Sequence, residues 1–377
     1  MEKIYLPRAD QFDLMNENLA KIANALCSNL DLTSWSGIQK AVRIGVAPDL
    51  IPVGTQLAVN HSVYGTHLYD VVAHNHFKSA HDKNAHTMTL MCHDNLEGVQ
   101  FDSSEAFYHA DAELPAGTYN FTIESAYSSW SAGTYQFTLL NALPVGGQLA
   151  ISGYADSAMT DRTVRAYVSR TSTVVAESAT ITFGNGGTSL GVFGKELNHT
   201  QRVSYGSDNY KESAIRQFLN SPSVAGGVWV AQTKFDRPPS WVNTLAGFMG
   251  GFDDDFLSVV GEVVVPCATN NTYESPDSTV AKNTRYTIND KFYLASQREL
   301  FGVGADTVED GTLQFPYYES ATNADRIKYR NGYPTGWWMR SPISWFAGYV
   351  RIVDAKGVLH QGGVCNANGF IPACTIV

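Results

Sequence analysis

The sequence predicts an α+β protein in which strand outweighs helix, and three observations predict it. Gly (32), Tyr (19) and Phe (18) are plentiful while charged residues make up only 16% of 377 positions, which suits many short strands joined by turns. Stretches that alternate apolar and polar residues recur up to about residue 194. After Lys195 the pattern changes to amphipathic helical segments mixed with apolar strands.

At 377 residues the chain exceeds the usual size of one domain, and three regions are expected. Residues 1–30 would form a helix for attachment or oligomerisation, 31–194 a β-rich scaffold, and 195–377 a ligand-binding domain. In the first region Phe12, Met15, Leu19, Ile22 and Leu26 recur every three or four positions. That stripe fits either a helix packed on its own domain or a short oligomerising stalk, and two heptads need help to hold an oligomer. From Ser34 to Val59 the chain reads as the start of a run of strands punctuated by Gly and Pro.

Residues 61–109 carry eight of the ten histidines, which raises a metal site as one reading. The strand-like alternation around them, with no His-x-x-x-His spacing, favours hydrogen-bonded sheet histidines, and no metal or other cofactor is expected. "AGTYNFTI" at 116–123 and "AGTYQFTL" at 132–139 form a two-unit repeat of half-buried strands. Beyond it, 207–220 reads as a helix with Tyr210, Ile215, Phe218 and Leu219 on one face, capped by Ser207 or Asp208 and ended near Asn220. "FDDDF" at 252–256 is either an oxygen-rich calcium turn or, as preferred here, the start of a helix or turn. "INDKFYLASQRELFG" gives a strand and then a helix closed by Gly302.

A net charge of −10 without a basic run excludes nucleic acid as a main partner. No apolar run is long enough to span a bilayer. Cys27, Cys92, Cys267, Cys365 and Cys374 are odd in number and scattered, which suits neither a disulfide framework nor a structural zinc site. With a polar N-terminus, the chain is expected to fold in a reducing cytoplasm. No His-Glu-x-x-His pair or phosphate-cradling loop occurs, and no catalytic residue is assigned.

The blocks "YGSDNYKESAIRQFLNS", "KFDRPPSW", "DDDFLSVVGE", "DKFYLASQRELFG", "NADRIKYRNG", "WWMRSP" and "GFIPACTIV" come in this order between about 200 and 377. Together they resemble the C-type-lectin-like domain of gut phage and bacterial proteins, including the variable proteins of diversity-generating retroelements. The resemblance implies a formylglycine-generating-enzyme-like fold of two helices and short antiparallel strands. It also implies a C-terminal segment, about 337–377, whose codons are rewritten at template adenines.

On that resemblance Trp337, Trp338, Arg340, Ser341, Pro342, Val350, Arg351, Val353, Gly357, Leu359, Pro372 and Ala373 would be fixed framework. Ile343, Phe346, Gly348, Tyr349, Ile352, Asp354, Val358, His360, Gly362, Gly363, Cys365, Asn366, Asn368 and Phe370 would be the variable, ligand-binding surface. All of these types are reachable from an AAC codon. Trp345, which stands with this set, is not, nor are Lys356 and Gln361. Core packing of Trp345, Phe346 and Tyr349 is the competing reading, but three rings within five positions cannot share one face of a strand. The implied function is a non-enzymatic receptor-binding protein, a phage-tail or virion adhesin made in the host cytoplasm, with the bacterial cell surface as the other location. Its partners would be a host-surface protein or glycan, other virion proteins, and further copies of itself, a trimer being favoured. A structural virion decoration protein and a formylglycine-type oxidase are the alternatives. The reactive cysteine motif of that oxidase is missing, as are the calcium-dependent sugar motifs Glu-Pro-Asn, Gln-Pro-Asp and Trp-Asn-Asp.

Overall fold

The structure, a computed structural model, describes residues 30–103, 107–109, 112–123, 131–145, 148–151, 165–168, 182–183, 186–193, 208–230, 232, 238–270, 283–302, 310–343 and 349–377. The expected 9–26 helix, with its oligomerising stripe, lies outside the described residues.

The first described elements are helices, α1 (Trp35–Arg43) and α2 (Ala47–Leu50), which corrects the expected strands over this stretch. The reason is local. The Ser34 hydroxyl accepts from Gly37 N as an N-cap, and Ile38, Ala41 and Val42 share one buried face. Four strands follow: β1 (Gln56–His61), β2 (Gly65–His74), β3 (Met88–Cys92) and β4 (Gly98–Gln100). Next come β5 (Phe107–His109), β6 (Gly117–Ile123), β7 (Gly133–Leu139), β8 (Gln148–Ile151), β9 (Arg165–Val168), β10 (Thr182–Phe183) and β11 (Thr188–Phe193). The last part holds α3 (Ala214–Leu219), α4 (Asp254–Val259), β12 (Val263–Asn270), β13 (Asn283–Asp290), β14 (Phe292–Leu294) and α5 (Gln297–Phe301). It ends with β15 (Lys328–Arg330), β16 (Tyr333–Thr335), β17 (Trp337–Pro342), β18 (Tyr349–Val353), β19 (Leu359–Gly363), β20 (Ala367–Gly369) and β21 (Pro372–Ile376). Few short helices and many strands make an α+β fold rich in β.

Two five-stranded sheets organise the core: β1-β2-β3-β21-β14, antiparallel throughout, and β19-β18-β17-β20-β4, in which only β17 and β20 run parallel. Each sheet joins distant parts of the chain. Ala373 of β21 sits opposite Met91 of β3, and Asn368 of β20 opposite Val99 of β4. Residues 31–103 therefore complete the unit expected at 195–377, and the expected boundary near 194 is corrected accordingly. Strands β5–β11 form the sheets β10-β7-β6-β11 and β5-β8-β9, which share no strand with the core.

The repeat pairs with itself as expected, β6 against β7 in register from Gly117↔Leu139 to Ile123↔Gly133. Each unit spends its tyrosine alike: Tyr119 Oη donates to Pro115 O at 2.7 Å and Tyr135 Oη to Ser131 O at 2.8 Å. Helix α3 is shorter than expected. Ser213, whose hydroxyl accepts from Arg216 N, is its cap in place of Ser207 or Asp208, while Tyr210, Ile215, Phe218 and Leu219 are buried. Asp254 and Asp255 form the first turn of α4, where carboxylates suit the helix dipole. Ser296 and Glu299 form a capping box on α5, and Gly302 at φ 75° ends it.

Histidines of the 61–93 stretch serve the sheet. His61 Nε2 bonds Phe248 O at 2.9 Å, His74 Nε2 bonds Ile51 O at 3.0 Å, and His93 Nδ1 meets Asp70 Oδ2 at 2.8 Å. Among the described residues no three potential metal ligands converge.

Candidate ligand-binding surface

Strand β17 is the foundation of the tail, and every one of its residues is buried. Its two tryptophans and its arginine are tied by hydrogen bonds to distant backbone. Trp337 Nε1 donates to Arg326 O at 3.3 Å, and Trp338 Nε1 donates to Val99 O at 2.8 Å. Arg340 donates to Pro266 O at 3.0 Å, Leu294 O at 2.7 Å, both oxygens of Glu299 at 2.6 and 2.7 Å, and Asp310 Oδ2 at 3.2 Å. A guanidinium with all its donors engaged is one of the few cations a core accepts. Burial alone would push the Glu299 carboxyl up. The Arg340 charge, with hydrogen bonds from His76 and Arg340, outweighs burial and holds it at about 2.

Strands β18 and β19 continue outward as a hairpin. The Asp354 carboxylate accepts from Lys356 N and Val358 N, each at 2.8 Å, which builds the turn. Gly357 sits there at φ 76°, and a Cβ would collide with Asn323 O. Between β19 and β20 the chain turns through Cys365 and Asn366. Gln100 of β4 holds this turn, donating to Cys365 O at 2.6 Å, while its Oε1 accepts from Ser240 N and Oγ. A Cβ on Gly363 would lie 3.2 Å from Asn366 Nδ2 and 3.9 Å from Tyr349 Cζ, so Tyr349 and Asn366 flank that glycine. The result is a contiguous patch of Tyr349, Cys365, Asn366, Gln100 and Ser240.

Residues 193–377 match a family described as a domain of unknown function, DUF6273. No curated protein and no solved structure matches the chain. The matched span leaves out β3 and β4, which complete both core sheets.

The expected variable surface divides. His360, Val358 and Asn366 are exposed, and Tyr349, Cys365 and Asn368 are half-buried. Trp345, Phe346 and Gly348 lie outside the described residues. Five positions are corrected to core. Ile343 and Phe370 are fully buried, and Ile352, opposite Trp338 in the sheet, is buried too. Phe370 joins an aromatic cluster, its ring 5.4 Å from Phe218 and 5.6 Å from Phe248. Gly362 and Gly363 are buried, and a Cβ at Gly362 would meet the Trp338 ring at 2.9 Å. Asp354 is half-buried, and its carboxylate makes the β18–β19 turn. The framework positions Trp337, Trp338, Arg340, Ser341, Pro342, Val350, Arg351, Val353, Gly357, Pro372 and Ala373 are buried, and Leu359 is half-buried.

Sequence reasoning passed over Tyr329 and Tyr333 on the β15–β16 hairpin, exposed by 48% and 73%. Their neighbour Arg330 pairs with Glu97 at 3.5 Å and lies against Gly98 of β4. The available signal was "KYRNGYP", an Asn-Gly turn flanked by tyrosines, which marks a hairpin with two large rings. Chemically the patch offers rings, amides, hydroxyls and the Cys365 thiol. Burial raises the Cys92 and Cys267 thiols to about 12 and pushes Cys374 higher still, so these cysteines stay protonated.

Proposed function

We propose that this chain is a non-enzymatic binding protein whose C-terminal domain, C-type-lectin-like in design, grips a surface ligand on a host cell. One observation carries the reading: a fully buried, hydrogen-bonded β17 underlies strands β18 and β19, which bear Tyr349 and His360, and the turn that bears Cys365 and Asn366, with Tyr329 and Tyr333 on a neighbouring hairpin. Rigid rings beside adaptable amides are the composition of a paratope, because they supply contact area at low entropy cost. The diversified set is the smaller, exposed one. The chain would act on a phage virion, made in the host cytoplasm, or at a bacterial cell surface. It would partner a host-surface protein or glycan and other virion proteins. Residues 1–30 would assemble it, as a trimer, and light scattering of a chain lacking them should then report monomers.

The test pairs stability with attachment. Trp338→Ala leaves a cavity beneath the surface and should cost about 3–5 kcal/mol of stability. Tyr349→Ala and His360→Ala should shift the melting temperature little, yet weaken attachment to host cells by about 1–3 kcal/mol each. Unchanged attachment in both variants would remove the surface from the binding reading.

A further inference from the structure

A cavity of about 500 Å³ opens between the segment His76–Ala80, strand β12 and the loop Gly311–Leu313. No residue of the tail lines it. Its walls are apolar, formed by Phe77, Val264, Pro266 and Leu313. Leu313 is 72% exposed, an apolar side chain held at the rim.

The cavity's polar lining residues are His76, Lys78, Ser79, Lys83 and Thr312, and the hydroxyls of Ser79 and Thr312 are already bonded within the chain. The His76 ring packs against Phe77 and Phe315, centroids 4.5 and 4.6 Å away, and its side chain is 6% exposed. Its Nε2 faces Glu299 Oε1 at 3.6 Å. A carboxylate on that side favours the tautomer protonated at Nε2, which leaves Nδ1 a lone-pair acceptor. Among the described residues Nδ1 has no hydrogen-bond partner. Lys78 and Lys83, both exposed, line the same cavity, and neither pairs with a carboxylate among the described residues. In a chain of net charge −10, two unpaired ammonium groups over an apolar cavity form a local anion preference. Beneath the cavity Glu299 and Asp310 share the single Arg340 guanidinium, so the two lysines still outnumber the one carboxylate charge this leaves.

We propose that this cavity is a separate small-molecule site, built for an amphipathic organic anion. A flat apolar body fits between Phe77 and Leu313, a hydroxyl donates to His76 Nδ1, and a carboxylate lies at Lys78 and Lys83. The lysines disfavour a metal cation. The site stands independently of the tail surface, so failure of one leaves the other in place.

The probe is 6-hydroxy-2-naphthoate, titrated into the full chain by its own fluorescence. One saturable site per chain is expected, with a melting temperature that rises as the site fills, since the folded state alone holds it. Lys78→Ala/Lys83→Ala changes exposed side chains only. It should weaken this probe about tenfold while leaving neutral 2-naphthol unchanged. Leu313→Glu should weaken both probes. 2-Naphthoate, which lacks the hydroxyl, should bind the native chain less tightly than the hydroxylated probe. Absence of saturation, affinities unmoved by both surface variants, or equal affinity for the two naphthoates would each overturn the assignment.

Discussion

Arg340 shows at the scale of one residue how this chain separates folding from surface. Its guanidinium joins β12, β14, α5 and the Asp310 loop to β17, so one side chain fastens the strand on which the tail is built. Removing one partner of such a buried network should cost about 3–5 kcal/mol, because the other charge is left buried and unanswered. The same pair sets an acid limit. Glu299 is held at about 2, below its ordinary 4.5, so its contribution is complete above 4.5 and is lost as pH falls through about 2. Melting temperatures recorded from pH 5 down to 2 should fall more steeply for the native chain than for Glu299→Gln; parallel curves would remove Glu299 from the acid response. Trp337, Trp338 and Arg340 were expected inside only through the family resemblance that "WWMRSP" helps to carry, and all three are buried. Phe370 was not, because nothing near it in sequence announces that Phe218 and Phe248, over a hundred positions earlier, close around its ring.

Among the elements, capping and turn chemistry were more legible than extent. Gly302, the Asp254–Asp255 helix start and the paired repeat β6–β7 all follow from local residue preference, which acts within a few positions. Helices α1 and α3 were misjudged because the deciding residues, the Ser34 and Ser213 caps, compete with equally good neighbours until packing chooses. The β18–β19 hairpin makes the point testable. Gly357 holds φ 76° directly against Asn323 O. Gly357→Ala should therefore destabilise by about 1–3 kcal/mol or more, through both left-handed backbone and collision, whereas Lys356→Ala, exposed on the same turn, should be near neutral. Thermal unfolding of the two variants side by side checks it, and equal melting temperatures would discard this account of the turn.

For the whole molecule the decisive fact is that the core sheets borrow β1–β4 from the first part of the chain. A fragment of 195–377 alone lacks the strands that flank β21 and β20, leaving two exposed edges and part of its core open. It should not unfold cooperatively. A chain from residue 30 onward in which 104–207 is replaced by a short Gly/Ser linker keeps both sheets. Its ends meet in the core, where Ile215 N donates to Phe101 O at 3.0 Å. Calorimetry should show one sharp transition for the second and none for the first; the reverse would return the boundary to about 194.

By itself the sequence determined the class, an acidic α+β chain rich in strand, together with its turns, its repeat and its helix caps in part. These depend on composition and on residues a few positions apart. Tertiary structure alone decided that 31–103 completes the C-terminal sheets, that Ile343, Ile352, Gly362, Gly363 and Phe370 lie inward, and that His76 faces a cavity under two lysines. Strand pairing and core packing are contacts between residues far apart in the chain, and the same alternating pattern serves an inner or an outer face until a partner covers it.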